Sequence, residues 1–375
     1  MLSLENNTQK HPLNGKKIAL FFVYAIVAVL LLVTVLSFND LPAIMQELKE
    51  VRIPYLLLAL LSVVIYLALY PLSLCILTKA KKCEIKMSTT YVIAMTEHFF
   101  NGITPLATGG QPFQAHSYSR AKVKISESTG LLLTNLIIYM LVTTGFSLTG
   151  LFFFKTLVSQ IDKAWLPIII VGYVLNFMVL VVMFTLGVST KLRNLLTKTV
   201  SFFCKFKLLR RFESKVPEIE TYFIQVQESF AYLTKKKGAF LLALLTKILS
   251  FAFLYGSSFF ILRAFNVHVP FSQMFFTMAA TSFAITAVGF IPTPGASGGV
   301  EGSAAQVFKS VIFFVAGIST VEAAATASGV MLIWRLLSYY FVMVVSLLCY
   351  IGLEIYFKVK AKKQANAAIQ TEPQQ

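Results

Sequence analysis

The sequence predicts an all-α polytopic membrane protein with about six full transmembrane helices and two opposed re-entrant hairpins of broken helix. Three observations predict it. Hydrophobic residues make up 57% of the 375-residue chain, charged residues 13%, and mean hydropathy is +0.75, which is more apolar surface than a soluble core can hide. The stretch TPLATGG at residues 104–110 returns as TPGASGG at residues 293–299, identical at five of seven positions. A match this short arises about once by chance in a chain of this length, so its context carries the weight. That context is the third observation: each copy places Pro and paired glycines inside an apolar run, where unpaired backbone groups are costly unless buried in protein or lining a wet cavity. Paired interruptions in two halves of a chain point to an inverted repeat around one central site.

Apolar runs near the ~20 residues that cross a bilayer occur at 18–38, 53–78, 126–154, 164–188, 239–262 and 320–353. Lys10, Lys16 and Lys17 precede the first, but it is long for a signal peptide and no A-x-A-like site follows, so it reads as a retained helix. Residues 88–119 and 270–316 are the interrupted segments. With the amino terminus inside, the inside segments hold 25 Lys and Arg residues and the outside segments five: Lys49, Arg52, Lys155, Lys163 and Arg263. That asymmetry requires 88–119 to enter from and return to the cytoplasm, and 270–316 to do the same from outside. A kinked crossing is the alternative for each. The resulting organisation is a cytoplasmic amino terminus (1–17), a first membrane half (18–188) with a re-entrant motif at 101–119, a basic interfacial segment (189–237), a second half (238–355) with a re-entrant motif at 289–308, and a cytoplasmic tail (356–375).

Within 189–237, Lys205, Lys207, Arg210, Arg211 and Lys215 precede a helix signal at Pro217. Ile219, Phe223, Val226, Phe230 and Leu233 then form an apolar stripe suited to the membrane interface. The cations suit anionic lipid at the cytoplasmic face, although positive-inside topology alone demands many of them. For the same reason the net charge of +17 does not indicate nucleic acid. Cys75, Cys83, Cys204 and Cys349 and the scattered His11, His98, His116 and His268 show no metal or redox spacing, and no cofactor is expected. No aromatic cage can be read from spacing.

The motifs suit a lipid head group. Pro112 starts a helix predicted to run to about Ser119, and Gly302 precedes one over Ser303–Phe314, so each loop delivers a helix amino terminus at membrane depth. Such ends bind phosphate through free N–H groups. Thr104, Thr108, Gln111, Thr293 and Ser297, beside Pro105 and Pro294, add neutral hydrogen-bonding partners, and Gly109, Gly110, Gly298 and Gly299 let the backbone approach a ligand. Among acids, Glu97, Glu301 and Glu322 fall at or near membrane depth, where carboxylates usually face a cavity or a partner. Glu301 has two readings, an attractor for a head-group ammonium and a first-turn acid complementing its helix dipole. Glu97 reads either as a coupling group or as an interfacial residue near the cytoplasm; Glu97 and Glu322 are candidates for charge coupling. Arg335 lies about fifteen residues, or roughly 22 Å of helix, into the last span. It reads as a contact for lipid phosphate or a partner of Glu301, or else as structural glue between helices.

The runs NGITPLATGGQPFQAHSYSR (101–120) and GFIPTPGASGGVEGSAAQVF (289–308) resemble the two signature loops of the lysylphosphatidylglycerol synthase transmembrane region, the flippase-like domain of bacterial multiple peptide resistance factors. The resemblance covers about residues 15–355. It implies a bacterial plasma-membrane protein that moves lysylphosphatidylglycerol between leaflets and so confers resistance to cationic antimicrobial peptides. Two-part members continue into a soluble aminoacyl-transferase domain, whereas this chain ends at Gln375. Three function classes follow: a lipid flippase, expected first; a phosphatidylglycerol lysyltransferase, the alternative; and a membrane partner of a separate aminoacyl-phospholipid synthase. No catalytic residue is assigned.

Overall fold

The computed structural model describes residues 46, 48–159, 161–192, 194–195, 198–199, 216–318 and 322–371. The predicted first span at 18–38 and the cations Lys205, Lys207, Arg210, Arg211 and Lys215 lie outside the described residues.

Every element named here is helical. In order they are α1 (Ile53–Leu69), α2 (Leu72–Lys81), α3 (Met87–Met95), α4 (Glu97–Ile103), α5 (Gly110–Arg120), α6 (Ile125–Phe152), α7 (Phe154–Val158), α8 (Trp165–Val188), α9 (Val216–Lys235), α10 (Lys237–Ala264), α11 (Met274–Val288), α12 (Gly299–Ala316), α13 (Glu322–Arg335) and, after a π-helical segment at Leu336–Phe341, α14 (Val342–Thr371). Seven stretches among the described residues are long and apolar enough to cross a membrane: Ile53–Lys81, Ile125–Phe152, Trp165–Val182, Lys237–Ala264, Phe271–Val288, Gly299–Ala316 and Ala323–Gln364. The chain is a multi-pass membrane protein. Both arms of the second interrupted segment reach this length, whereas the arms of the first, α3–α4 and α5, are shorter.

Alternation of bulky and small residues sets the packing. Helix α11 is buried along Ala279, Ala280, Ser282, Ala284 and Ala287, and small side chains let neighbouring backbones approach closely where apolar burial gives no advantage over lipid. Gly172 of α8 is the closest such contact: a Cβ there would lie 1.7 Å from the Ala287 carbonyl oxygen. The opposite face of α8 keeps Ile170, Val174, Phe177 and Val181 exposed, as a lipid-facing helix requires. Helix α1 packs along α10, and α14 crosses α3 and α4, held where Ser346 Oγ donates to the Met95 carbonyl (2.6 Å) and accepts from the Phe99 N–H (2.8 Å).

Part of the apolar stripe of α9 packs against protein. Val226, Phe230 and Leu233 are buried, Leu233 among Leu77, Leu131, Ile138 and Ala243. These three are covered by protein because α9 lies against α6, where Gly130 leaves room for Ser229.

Candidate functional site

The two motif loops meet. Pro105 and Pro294, equivalent positions of the repeat, form an antiparallel bridge. The repeat also holds in backbone conformation: Leu106 (φ 55°) matches Gly295 (φ 62°), and Ala107 (φ 52°) matches Ala296 (φ 51°). Left-handed geometry costs a non-glycine residue of order 1 kcal/mol or more, so its recurrence at the same two steps is not a product of local sequence alone. The following helices begin at equivalent glycines, Gly110 after Gly109 and Gly299 after Gly298. Both start earlier than the sequence predicts, which puts Pro112 and Gly302 inside the first turns.

The expected free N–H groups are largely occupied. Gly109 N–H donates to Thr104 Oγ1 and Gly110 N–H to Asn101 Oδ1, each at 2.9 Å. Gly298 N–H donates to Glu301 Oε2 at 2.7 Å. Unfilled donors at a helix start are costly in a membrane interior, and side chains of the same segment fill these. The hydroxyls are likewise engaged locally: Thr108 donates to the Pro105 carbonyl, Thr293 to that of Ser297, and Ser297 to that of Pro294. These residues hold the loops in shape.

Arg335 joins the second loop to the last span. Its Nε donates to Glu301 Oε1 (2.7 Å), and its Nη2 to the Gly295 carbonyl (2.7 Å) and more weakly to Ser297 Oγ (3.5 Å). The two side chains are 5% and 2% exposed, which makes the pair fully interior. The guanidinium also stacks 4.1 Å from the Tyr339 ring, and Tyr339 donates its hydroxyl to the Gly102 carbonyl at 2.8 Å. Tyr339 lies in the π-helical turn, a feature concentrated at functional sites. Arg335 and Tyr339 together tie the last span to the second loop and to Gly102, just before the first. Of the readings for Glu301 and Arg335, the geometry contains both their pairing with each other and the role of Glu301 as a first-turn acid of its own helix.

Glu97 is buried in the protein. Its carboxylate accepts from Tyr70 (3.0 Å), Gln111 (3.1 Å), Gln114 (3.4 Å) and Asn101 (3.5 Å). Lys247, fully buried on α10, donates to the Tyr70 carbonyl (3.3 Å) and places its ammonium 3.5 Å from the centre of the Tyr70 ring. Tyr70 thus separates a buried acid from a buried base. Sequence alone assigns no role to Lys247, Tyr70, Asn101 or Gln114; a lysine midway along a 28-residue apolar helix is the available signal. The side chain of Glu322 lies outside the described residues.

Between the loops and α1, α6, α10 and the last span lies a cavity of about 270 Å³, lined by Leu106 and Ala107 of the first loop, Gly295 and Ala296 of the second, and Arg335. The rest of the lining includes the aromatic residues Tyr66, Tyr70, Tyr139, Phe251 and Tyr255. The tertiary fold builds this cluster from separate helices, which is why spacing did not reveal it. No group of His, Cys, Asp and Glu suited to a metal occurs among the described residues.

A family model, described as the lysylphosphatidylglycerol synthase TM region, matches residues 19–346, which includes both motif loops and every wall of the cavity. The chain belongs to this family. No curated protein matches it.

Proposed function

We propose that this member of the lysylphosphatidylglycerol synthase transmembrane-region family translocates a phospholipid between leaflets, with an aminoacylated head group such as lysylphosphatidylglycerol the one its family description suggests. The observation that carries the reading is the central cavity walled by both motif loops, with their tips joined at Pro105 and Pro294 and Arg335 on its wall. At about 270 Å³ the space suits a head group and not acyl chains, which stay in the bilayer. Inverted repeats with broken helices meeting at mid-membrane are the general architecture of alternating access.

In this reading the buried Glu301–Arg335 pair is the switchable element. A head-group phosphate competes with Glu301 for the guanidinium, and an ammonium competes for the carboxylate. Exchange of partners leaves neither charge unpaired in low dielectric, where an unpaired charge is most costly. The working setting is the bacterial plasma membrane with both termini cytoplasmic and anionic lipid held near the basic segment, and the consequence is resistance to cationic antimicrobial peptides. The family description favours a second reading, phosphatidylglycerol lysyltransferase activity or partnership with a separate synthase.

Leaflet-resolved movement of labelled lysylphosphatidylglycerol and phosphatidylglycerol in liposomes holding only this protein tests the proposal. Movement by the wild type that falls at least tenfold in Arg335→Gln supports it. Movement no faster than in protein-free liposomes overturns it, and lysyl transfer from charged tRNA by the same preparation would establish the second reading.

A further inference from the structure

We infer that the aromatic side of the cavity recognises the uncharged, hydroxyl-bearing part of a lipid head group, a glycerol or a sugar, through the hydroxyls of Tyr66 and Tyr139. The inference rests on the reading that a lipid head group enters this cavity, and it names the chemistry selected there.

Phe251 is the hub of the wall, its ring centre 5.6 Å from Tyr66, 6.2 Å from Tyr70, 5.6 Å from Tyr139 and 5.5 Å from Tyr255. These rings come from α1, α6 and α10, so the cluster exists only in the assembled fold. Flat rings of this kind pack against the C–H faces of polyols. Tyr70 commits its hydroxyl to Glu97, but the hydroxyls of Tyr66 and Tyr139 have no hydrogen-bond partner among the described residues. Tyr66 is only 4% exposed. His98 Nε2, Trp334 Nε1 and Ser338 Oγ, on residues of the same lining, are buried without a hydrogen-bond partner among the described residues.

Charge decides which ligand satisfies them. Neither nearby carboxylate is on the lining: Glu301 pairs with Arg335 and Gly298, and Glu97 accepts from four neutral donors with Lys247 on the Tyr70 ring. An ammonium placed among the tyrosines themselves would meet Arg335 on the same lining and Lys247 behind Tyr70, with no acid on that wall to balance it. A hydroxyl has no such conflict. It donates and accepts, as does a tyrosine hydroxyl, and brings no charge to desolvate. The phosphodiester of a glycerophospholipid can then face Arg335 while its terminal glycerol faces the tyrosines.

The test compares binding to the full chain in nanodiscs of phosphatidylglycerol and phosphatidylpropanol, which share a phosphodiester but differ by two head-group hydroxyls. A parallel arm compares monoglucosyl diacylglycerol with diacylglycerol. The inference expects the hydroxylated lipid of at least one pair to bind about tenfold more tightly, the worth of one net hydrogen bond. Which pair responds tells glycerol from sugar. It further expects Tyr66→Phe with Tyr139→Phe, which keeps both rings, to erase that preference without lowering the melting temperature by more than a few degrees. Equal binding within both pairs overturns it, as does a preference unchanged in the double variant or a preference for phosphatidylethanolamine over phosphatidylglycerol. Lipid movement without hydroxyl discrimination would remove this inference and leave the transport reading. Discrimination without movement would do the reverse.

Discussion

At the scale of single residues, buried charges decide most of what this chain can do. Glu301 and Arg335 are 34 positions apart and their pairing was among the readings of the sequence, because an arginine at mid-membrane has few tolerable partners. What could not be read was that the same guanidinium also holds the Gly295 carbonyl and stacks on Tyr339, since the π-helical turn that presents Tyr339 leaves no mark in the sequence. Lys247 was visible as a lone cation in an apolar run, but Tyr70, which receives it, lies 177 positions away. The pair makes a direct prediction. Removing one partner of a fully buried ion pair costs about 3–5 kcal/mol because the other charge is left uncompensated. Arg335→Gln and Glu301→Gln should each lower stability in detergent by about that much, read by denaturant unfolding. The double variant should lose less than the sum. Additive losses would show that the two side chains act independently.

At the scale of elements, helix positions were legible from hydropathy, but their starts were not. The sequence placed the helix after each motif at Pro112 and Ser303, whereas the structure begins them at Gly110 and Gly299. The reason is local: Asn101 and Thr104 from before the first helix, and Glu301 reaching back from within the second, accept the first N–H groups, which lets each helix start inside the motif. The glycines therefore serve less to admit a ligand than to permit this turn. A side chain at Gly299 would meet Ile291 at 2.1 Å, and Gly298 has φ 86°, so bulky substitutions there report on folding before they report on transport. Leu106 offers the cleaner probe. At φ 55° it occupies the conformation its counterpart Gly295 adopts without penalty. Leu106→Gly should leave stability unchanged or raise it by about 1 kcal/mol, the relieved strain offsetting the added freedom of the unfolded chain. A loss above ~2 kcal/mol would mean that the exposed leucine side chain is itself needed to hold the loop. The stripe on α9 gives the complementary lesson: its periodicity was legible, but periodicity does not say whether protein or lipid covers an apolar face.

At the scale of the whole molecule, the repeat of seven residues proved to mark a repeat of structure, carried through matching left-handed steps and matching helix starts to a junction of the two loops. The aromatic lining was illegible because its members are brought together by three helices far apart in sequence. The charge distribution predicts how the halves are inserted. Single cysteines replacing exposed Lys86 and Lys124 should be shielded from an impermeant thiol reagent in intact cells, while those replacing exposed Lys163 and His268 should react. Opposite labelling of the Lys86 and Lys124 positions would make the first interrupted segment a crossing.

Translocation through the cavity walled by both loops requires their joined tips to part, and locking those tips together tests it most directly. Residues facing each other in an antiparallel bridge stand within the roughly 4.4–6.8 Å Cα separation that a disulfide spans. In a chain whose native cysteines are replaced, Pro105→Cys with Pro294→Cys should cross-link on oxidation, stop lipid movement in liposomes, and recover it on reduction. Unchanged movement by the fully cross-linked protein would contradict the account, because it would mean that the loops never need to part.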